Sequence, residues 1–272
     1  MKIAFCYCGH LRTMPYSIAN TLRFIGNCFP DVDFFIHTWE QNQYRIVSHE
    51  SVGVELLAKS NNLTLVEARE EQRIINEKRI IDTYDILEII KTTLGNNIKN
   101  IKVEKVDQYM FVREDFYNRY SWAESNNLKT KYEQQLNFKY DFVVKIRPDL
   151  LFPKEITLIR EIDNCLKNNP DASFFSNNDV FYIGQSNVMD VAASFIHTDI
   201  DNRSLGPAFR AYINGNNIRS RRTIFNEFAI YRPETMPTSS LQFKKCKSID
   251  DLWNYHRRNY RPYELHNLDE EN

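Results

Sequence analysis

Apolar and polar positions along the chain follow two periods, and the alternation between them predicts the elements. Residues 2 to 8 form a short apolar run of β-branched, aromatic and small side chains that stops at Gly9, which predicts a buried strand. Gly9-His10-Leu11-Arg12-Thr13-Met14-Pro15 then mixes a turn residue, a charge and a proline, the composition of a loop. From Ser17 onward the apolar positions Ile18, Leu22, Ile25 and Phe29 return at helical spacing. Asp33-Phe34-Phe35-Ile36-His37-Thr38-Trp39 reads as a second buried strand. Strand, loop, helix and strand in this order make a βαβ unit, and such units bind ligands beyond the carboxyl ends of their strands. The Gly9–Thr13 loop and the His37–Glu40 end therefore belong to one mouth.

The stretch from Gln41 to Asp107 is polar and mixed, with a helix predicted over Glu67–Leu94 that puts Ile74, Ile81, Tyr84 and Leu87 on one side. The clearest amphipathic helix covers 115–136, where Phe116, Tyr120, Ala123, Leu128, Tyr132 and Leu136 form the apolar stripe. The strand Phe142–Ile146 follows and runs into Arg147-Pro148-Asp149-Leu150-Leu151-Phe152. Two further strands are predicted at Ala172–Phe175 and Val180–Gly184, then a helix carrying Val188, Met189, Val191, Ala192 and Phe195. Residues 205–217 read as helix, Thr223–Ile230 as strand, and the charged, aromatic tail after Lys244 as a short helix with a wrapping segment. No repeat, low-complexity tract or linker divides the chain, so the expectation is a single α/β domain.

Composition narrows the field. With 42% hydrophobic residues over 272 positions the chain has enough apolar surface for a substantial core. A formal charge of −1, from 35 basic and 36 acidic side chains, argues against a dedicated nucleic-acid binder, which needs excess cations to displace counterions from phosphates. It leaves room for a local basic pocket. The five cysteines, Cys6, Cys8, Cys28, Cys165 and Cys246, lack paired short spacings and read as free thiols of a reducing compartment. Cys6 and Cys8 fall on the same face of the first strand, where packing explains them better than zinc. The opening run is too short for a signal peptide, and no apolar stretch is long enough to span a bilayer. The expected location is cytoplasmic, free or peripheral at the inner membrane face.

Three places concentrate polar groups at strand ends. In the first, Gly9 lets backbone approach a ligand, Arg12 offers a fork of donors to phosphate, and the next helix presents its amino end; an ordinary strand-to-helix turn is the plainer alternative. In the second, Arg147 suits a leaving diphosphate and Asp149 a cation or sugar hydroxyls, against an Arg–Asp pair that merely closes the strand. In the third, Asp179 of Asn177-Asn178-Asp179 is a candidate general base, against a simple turn. Arg219, Arg221 and Arg222 make a basic cluster suited to a diphosphate or an anionic acceptor, or to plain solvation. Phosphate-loop, dinucleotide, serine-hydrolase and zinc-protease signatures are missing, and the six histidines lack metal-ligand spacing.

Taken in order, the Ile3–Phe5 strand with Gly9-His10-Leu11-Arg12-Thr13, the Asp33–Trp39 strand, Tyr140–Phe152 and Asn178-Asp179-Val180-Phe181-Tyr182-Ile183-Gly184 resemble a group of bacterial and viral glycosyltransferases linked to lipopolysaccharide and capsule synthesis. The resemblance covers residues 2 to 185 and implies a GT-A-like glycosyltransferase fold: a Rossmann-like, mostly parallel sheet flanked by helices. Residues 1 to 150 or so would bind the nucleotide sugar, and 151 to 272 the acceptor. It implies a nucleotide-sugar donor and a glycan acceptor as partners. On that expectation Gly9, His10, Arg12, Thr13 and Arg147 lie at the donor, and the later basic pair Arg221 and Arg222, outside the resembling region, is placed at its diphosphate. Asp149 and Asp179 are the candidate catalytic carboxylates, Asp179 as the base if the reaction inverts configuration. The Asp-x-Asp element that holds Mn²⁺ or Mg²⁺ in such folds reads Arg147-Pro148-Asp149 here, which leaves Asp149 as the sole metal ligand of that element and puts metal dependence in question. A sulfotransferase-like or other nucleotide-dependent transferase and a non-catalytic carbohydrate-binding protein are the competing readings.

Overall fold

The computed structural model describes residues 1–11, 14–40, 58, 61–68, 70, 83–105, 114–152, 156–177, 181–197, 205–222 and 229–230. Arg12, Thr13, Asn178, Asp179, most of the polar 41–82 stretch, Thr223–Phe228 and the tail lie outside them.

The opening βαβ unit forms as the sequence pattern requires. Strand β1 (Ile3–Cys8) is followed by helix α1 (Met14–Ile25), and β2 (Val32–Trp39) returns parallel to β1 in the register Ile3↔Val32 to Cys8↔His37. Helix α2 (Thr83–Leu94) leads to β3 (Ile98–Glu104), parallel to β2. The long helix α3 (Glu114–Leu136) precedes β4 (Phe142–Ile146), which is parallel to β1 on the side away from β2. Beyond β4 the chain makes the two-residue strand β5 (Leu150–Leu151), α4 (Leu158–Asn168), β6 (Phe174–Asn177), β7 (Phe181–Gly184), α5 (Ser186–Ala193), α6 (Leu205–Gly215), β8 (Ser220–Arg222) and β9 (Ala229–Ile230). Seven strands join in the order β3-β2-β1-β4-β7-β6-β8, with β7 antiparallel to both neighbours; β5 and β9 pair separately. A mostly parallel sheet with helices on both faces is a Rossmann-like α/β fold.

Strand alternation sorts the core into two layers. Ile3, Phe5, Tyr7, Phe34, Ile36, Val144, Ile146, Phe181 and Ile183 face α1, α2 and α4. Ala4, Cys6, Cys8, Phe35, Val143, Phe174 and Tyr182 face α3, α5 and α6. Cys6 and Cys8 thus pack in one layer, fully buried, and burial pushes the Cys6 thiol far above its ordinary value. Gly184 is closely packed: a methyl there would meet the Ser173 carbonyl and the Met189 side chain at 3.1 Å, so one of them would have to give way slightly.

Helix α3 begins and ends where its apolar period predicts, but its inward face differs. Leu136 is 58% exposed, while Arg119, Ser121, Ser125, Asn126, Lys129 and Glu133 are buried with Trp122 and Ala123. The helix lies over β1, β2 and β3 on a polar stripe, which stands only because most of those groups find partners.

Candidate functional site

Beyond the carboxyl ends of β1 and β4, two of the three predicted segments meet. The strands are neighbours in the sheet, and the chain winds from β1 toward β2 on one side but continues from β4 toward β7 on the other. The crevice at such a switch point is where open α/β sheets bind ligands.

On the β1 side, Gly9 takes a φ of +108°, a region that side-chain-bearing residues rarely enter. Its N–H donates to the Ser121 hydroxyl at 2.6 Å, with the His37 carbonyl at 3.3 Å. The Leu11 carbonyl accepts from Met14 N–H at 2.7 Å and starts α1. His10 is half-buried beside this turn.

On the β4 side, Arg147–Leu150 is a turn closed by Leu150 N–H to the Arg147 carbonyl at 3.3 Å, with Pro148 at its second position. Arg147 donates to Asp149 through both Nε, at 3.0 Å to Oδ1, and Nη2, at 2.5 Å to Oδ2. The Asp149 side chain is 7% exposed and that of Arg147 18%. Such a bidentate pair fixes the guanidinium plane. Three residues of α1 hold the turn from one side. Ser17 donates to the Pro148 carbonyl, Asn20 exchanges two hydrogen bonds with the Phe152 backbone at 2.7 and 2.9 Å, and Arg23 reaches the Phe152 carbonyl at 2.5 Å. Strand β9 holds it from the other through Leu150↔Ile230 and Leu151↔Ala229.

Beneath the Gly9 turn lies a polar relay that the sequence does not announce. His37 Nε2 is 2.7 Å from Glu104 Oε2, and Nδ1 is 2.8 Å from the Ser121 hydroxyl. Lys102 bridges Glu104 at 2.8 Å and Glu124 at 2.6 Å. Burial lowers the His37 pKa, opposed by the hydrogen bond and charge of Glu104. In the neutral ring, Nε2–H donates to the Glu104 carboxylate, so Nδ1 accepts from Ser121 O–H. Ser121 then keeps lone pairs for the Gly9 N–H. Ser121 itself is fully buried, which suits support of the turn and not attack on a substrate.

The basic cluster goes elsewhere. Arg221 lies on the edge strand β8, three strand spacings, about 14 Å, from β4. There it lines a cavity of about 590 Å³ with Arg210, Arg219, Asn214 and Asn217. Arg222 pairs in register with Ser176. Arg219 and Arg221 thus line a cavity three strands away from Arg147. Arg12, Thr13 and Asp179 lie outside the described residues.

The donor set does not suit a divalent cation. Asp149 already gives both oxygens to a guanidinium, whose charge repels a metal ion. Among the described residues no three His, Cys, Asp or Glu side chains gather to hold one. Also among the described residues, no helix is long and apolar enough to cross a membrane.

Neither a protein-family model nor a curated protein matches the sequence. Among solved structures, the chain is similar to a candidate nucleotide-diphospho-sugar transferase from Desulfovibrio desulfuricans G20, at 8% identity over 82% of this chain and 80% of that one, with a TM-score of 0.39. It is also similar to a cytidylyltransferase from Leptospira borgpetersenii serovar Hardjo-bovis, at 10% identity over 95% of each chain and a TM-score of 0.44. A nucleoside-diphosphate-sugar pyrophosphorylase from Vibrio cholerae RC9 matches at 10% identity over 89% of this chain and 99% of that one, with a TM-score of 0.41. Superpositions this loose assign no side chain a role.

Proposed function

We propose that the chain is a GT-A-like glycosyltransferase that moves a sugar from a nucleotide-sugar donor onto a surface polysaccharide or another glycan acceptor. The observation that carries this reading is the meeting of the Gly9 turn, which leads into α1 and is held by Ser121, and the Arg147–Asp149 turn, which α1 supports, at the switch point between β1 and β4. A single domain of two parts fits it. The parallel strands β1–β4, within residues 1 to 150 or so, take the nucleotide. The mixed strands β6–β8, within about 151–272, face the acceptor.

In this mechanism Gly9, His10, Arg12 and Thr13 border the nucleotide and its phosphates. Arg147, aligned by Asp149, offsets charge on the departing diphosphate as the anomeric carbon takes on oxocarbenium character. Asp149 thus works through Arg147 and on sugar hydroxyls, and no step is routed through a metal. Asp179 removes the acceptor proton if the reaction inverts configuration. Arg221 and Arg222 suit an anionic acceptor better than the diphosphate, because β8 lies three strands from β4.

A melting-point screen with UDP, GDP, CMP, dTDP and adenosine bisphosphate, each with and without Mn²⁺, tests the reading. One of the sugar-carrying nucleotides should stabilise the native state, by about 2.7 kcal/mol at a hundred times its Kd. Stabilisation by adenosine bisphosphate alone points to a sulfotransferase-like enzyme, and no response to any nucleotide removes the proposal. Asp149→Ala should fold and lose turnover by on the order of 10²–10³-fold; near-normal turnover would take Asp149 out of the site.

A further inference from the structure

Helix α3 carries two buried cations, and the fold treats them differently. Lys129 is fully buried and answered by Ser186 and Asp190, both at 2.6 Å, and by Glu133 at 3.1 Å. Arg119, nearly three turns earlier, is 8% exposed, and its guanidinium lies 4.7 Å from the Phe209 ring centre and 4.9 Å from that of Phe195. Among the described residues no carboxylate reaches it, and its Nη1 is buried without a hydrogen-bond partner. Ring faces attract a cation, but they do not accept the N–H bonds that lie in the guanidinium plane. A buried donor left in this state is costly, so natural folds seldom keep one without a use.

A second unanswered donor lies one turn along the same face. Trp122 is 2% exposed, its ring sits 6.0 Å from Phe209 and 4.9 Å from Tyr182, and its Nε1–H also lacks a partner. Indole nitrogen is a donor only, so it calls for an acceptor. Arg119 and Trp122 both pack on Phe209, which puts the two donors in one neighbourhood. That neighbourhood adjoins the Gly9 turn: Asn118 takes the Cys8 thiol at 3.7 Å, and Ser121 takes the Gly9 N–H.

We infer that Arg119 and Trp122 form an oxyanion-recognition site that takes a carboxylate or phosphate group of the substrate, on the α3 face of the sheet beside the Gly9 turn. A guanidinium N–H and an indole N–H, both buried without an acceptor and both packed on Phe209, call for a group rich in lone pairs, and the aromatic walls limit competing water. That the anion belongs to the transferred sugar, its nucleotide or the acceptor rests on the function proposed above; the existence of the site does not.

Titration of the full chain with inorganic phosphate and with glucuronate, read by calorimetry and by the melting point, tests the site and distinguishes the two sources of oxyanion. The native protein should bind at least one of them. Arg119→Met should weaken that binding at least tenfold with cooperative unfolding retained, Arg119→Lys should lose less, and Trp122→Phe several-fold. Unchanged affinity in Arg119→Met, or no binding of either probe to the native protein, overturns the inference. Should Arg119→Met fail to fold, Trp122→Phe decides: it keeps the aromatic wall and removes only the N–H, and unchanged affinity there overturns the site equally. Arg119-dependent phosphate binding in a protein that ignores every nucleotide would sink the glycosyltransferase reading and leave this site standing.

Discussion

At the scale of single residues, His37 is fully buried and held through both ring nitrogens. One ring nitrogen meets a carboxylate and the other a hydroxyl, and the neutral tautomer with hydrogen on Nε2 serves both while leaving Ser121 lone pairs for Gly9 N–H. The folded protein therefore holds its pKa below the ordinary imidazole value, with burial as the main cause. The unfolded chain protonates His37 at the ordinary value, about 6.5. Its contribution to stability is thus complete above that pH and is lost as pH falls from there toward the lower folded-state value. Urea unfolding of the native protein should show stability declining as pH falls below about 6.5. In His37→Gln that segment should flatten, and the variant should be less stable at about pH 8 by roughly 1–3 kcal/mol, the usual cost of unpaired buried partners. Parallel profiles in the two proteins would mean that another group titrates. None of this was legible beforehand. His37, Ser121 and Glu104 are separated by 84 and 67 positions in the chain, and a serine inside a helix gives no periodic signal.

Among elements, those with strong periods were readable and those fixed by long-range partners were not. β1, α1, β2 and β4 follow the apolar pattern closely because two core layers take alternate strand residues and leave little freedom of register. Helix α3 kept its bounds but not its stripe, since Lys129 and Glu133 resemble a solvated i,i+4 pair in sequence and are 0% exposed in the fold. Arg119 gives no distinguishing signal in the sequence for the same reason. The basic cluster near Arg221 was compact in sequence, yet it sits on an edge strand remote from Arg147. What sequence alone suggested about the 147–152 turn, its rigid mounting, has a specific cause in α1. Asn20 is 1% exposed and satisfies both backbone groups of Phe152. Asn20→Ala strands a buried N–H and should cost about 1–3 kcal/mol in urea unfolding. If that turn serves the nucleotide, the same variant should also bind it more weakly, whereas an unaltered nucleotide-induced melting shift would show that the mounting is structural only.

Across the whole molecule, the parallel and mixed parts of the sheet are joined by the β4–β7 pair and by the ion cluster that ties α3 to α5. Lys129 reaches Asp190 on α5 and Glu133 on its own helix, while Lys139 binds both carboxylates, at 3.2 and 2.8 Å. Burial alone would raise the pKa of Glu133. Hydrogen bonds from Lys139, Ser186 and the Tyr140 N–H, with the charge of Lys129, outweigh it and hold the carboxyl below its ordinary value. Asp190 is lowered in the same way, burial being overcome by Lys129, Asn126 and Thr130. Two depressed carboxyls contribute stability that is complete above their unfolded values, about 4, and is lost as pH falls through the lower folded ones. Removing one partner from a buried ion cluster leaves the others uncompensated, so Lys129→Met should destabilise the protein by about 3–5 kcal/mol near neutrality. It should also shrink the loss of stability on acidification, because Glu133 and Asp190, deprived of that cation, titrate closer to their unfolded values. A variant within about 1 kcal/mol of the native protein, with the acid-side slope intact, would show that Lys139 alone suffices to bind the two parts of the sheet together.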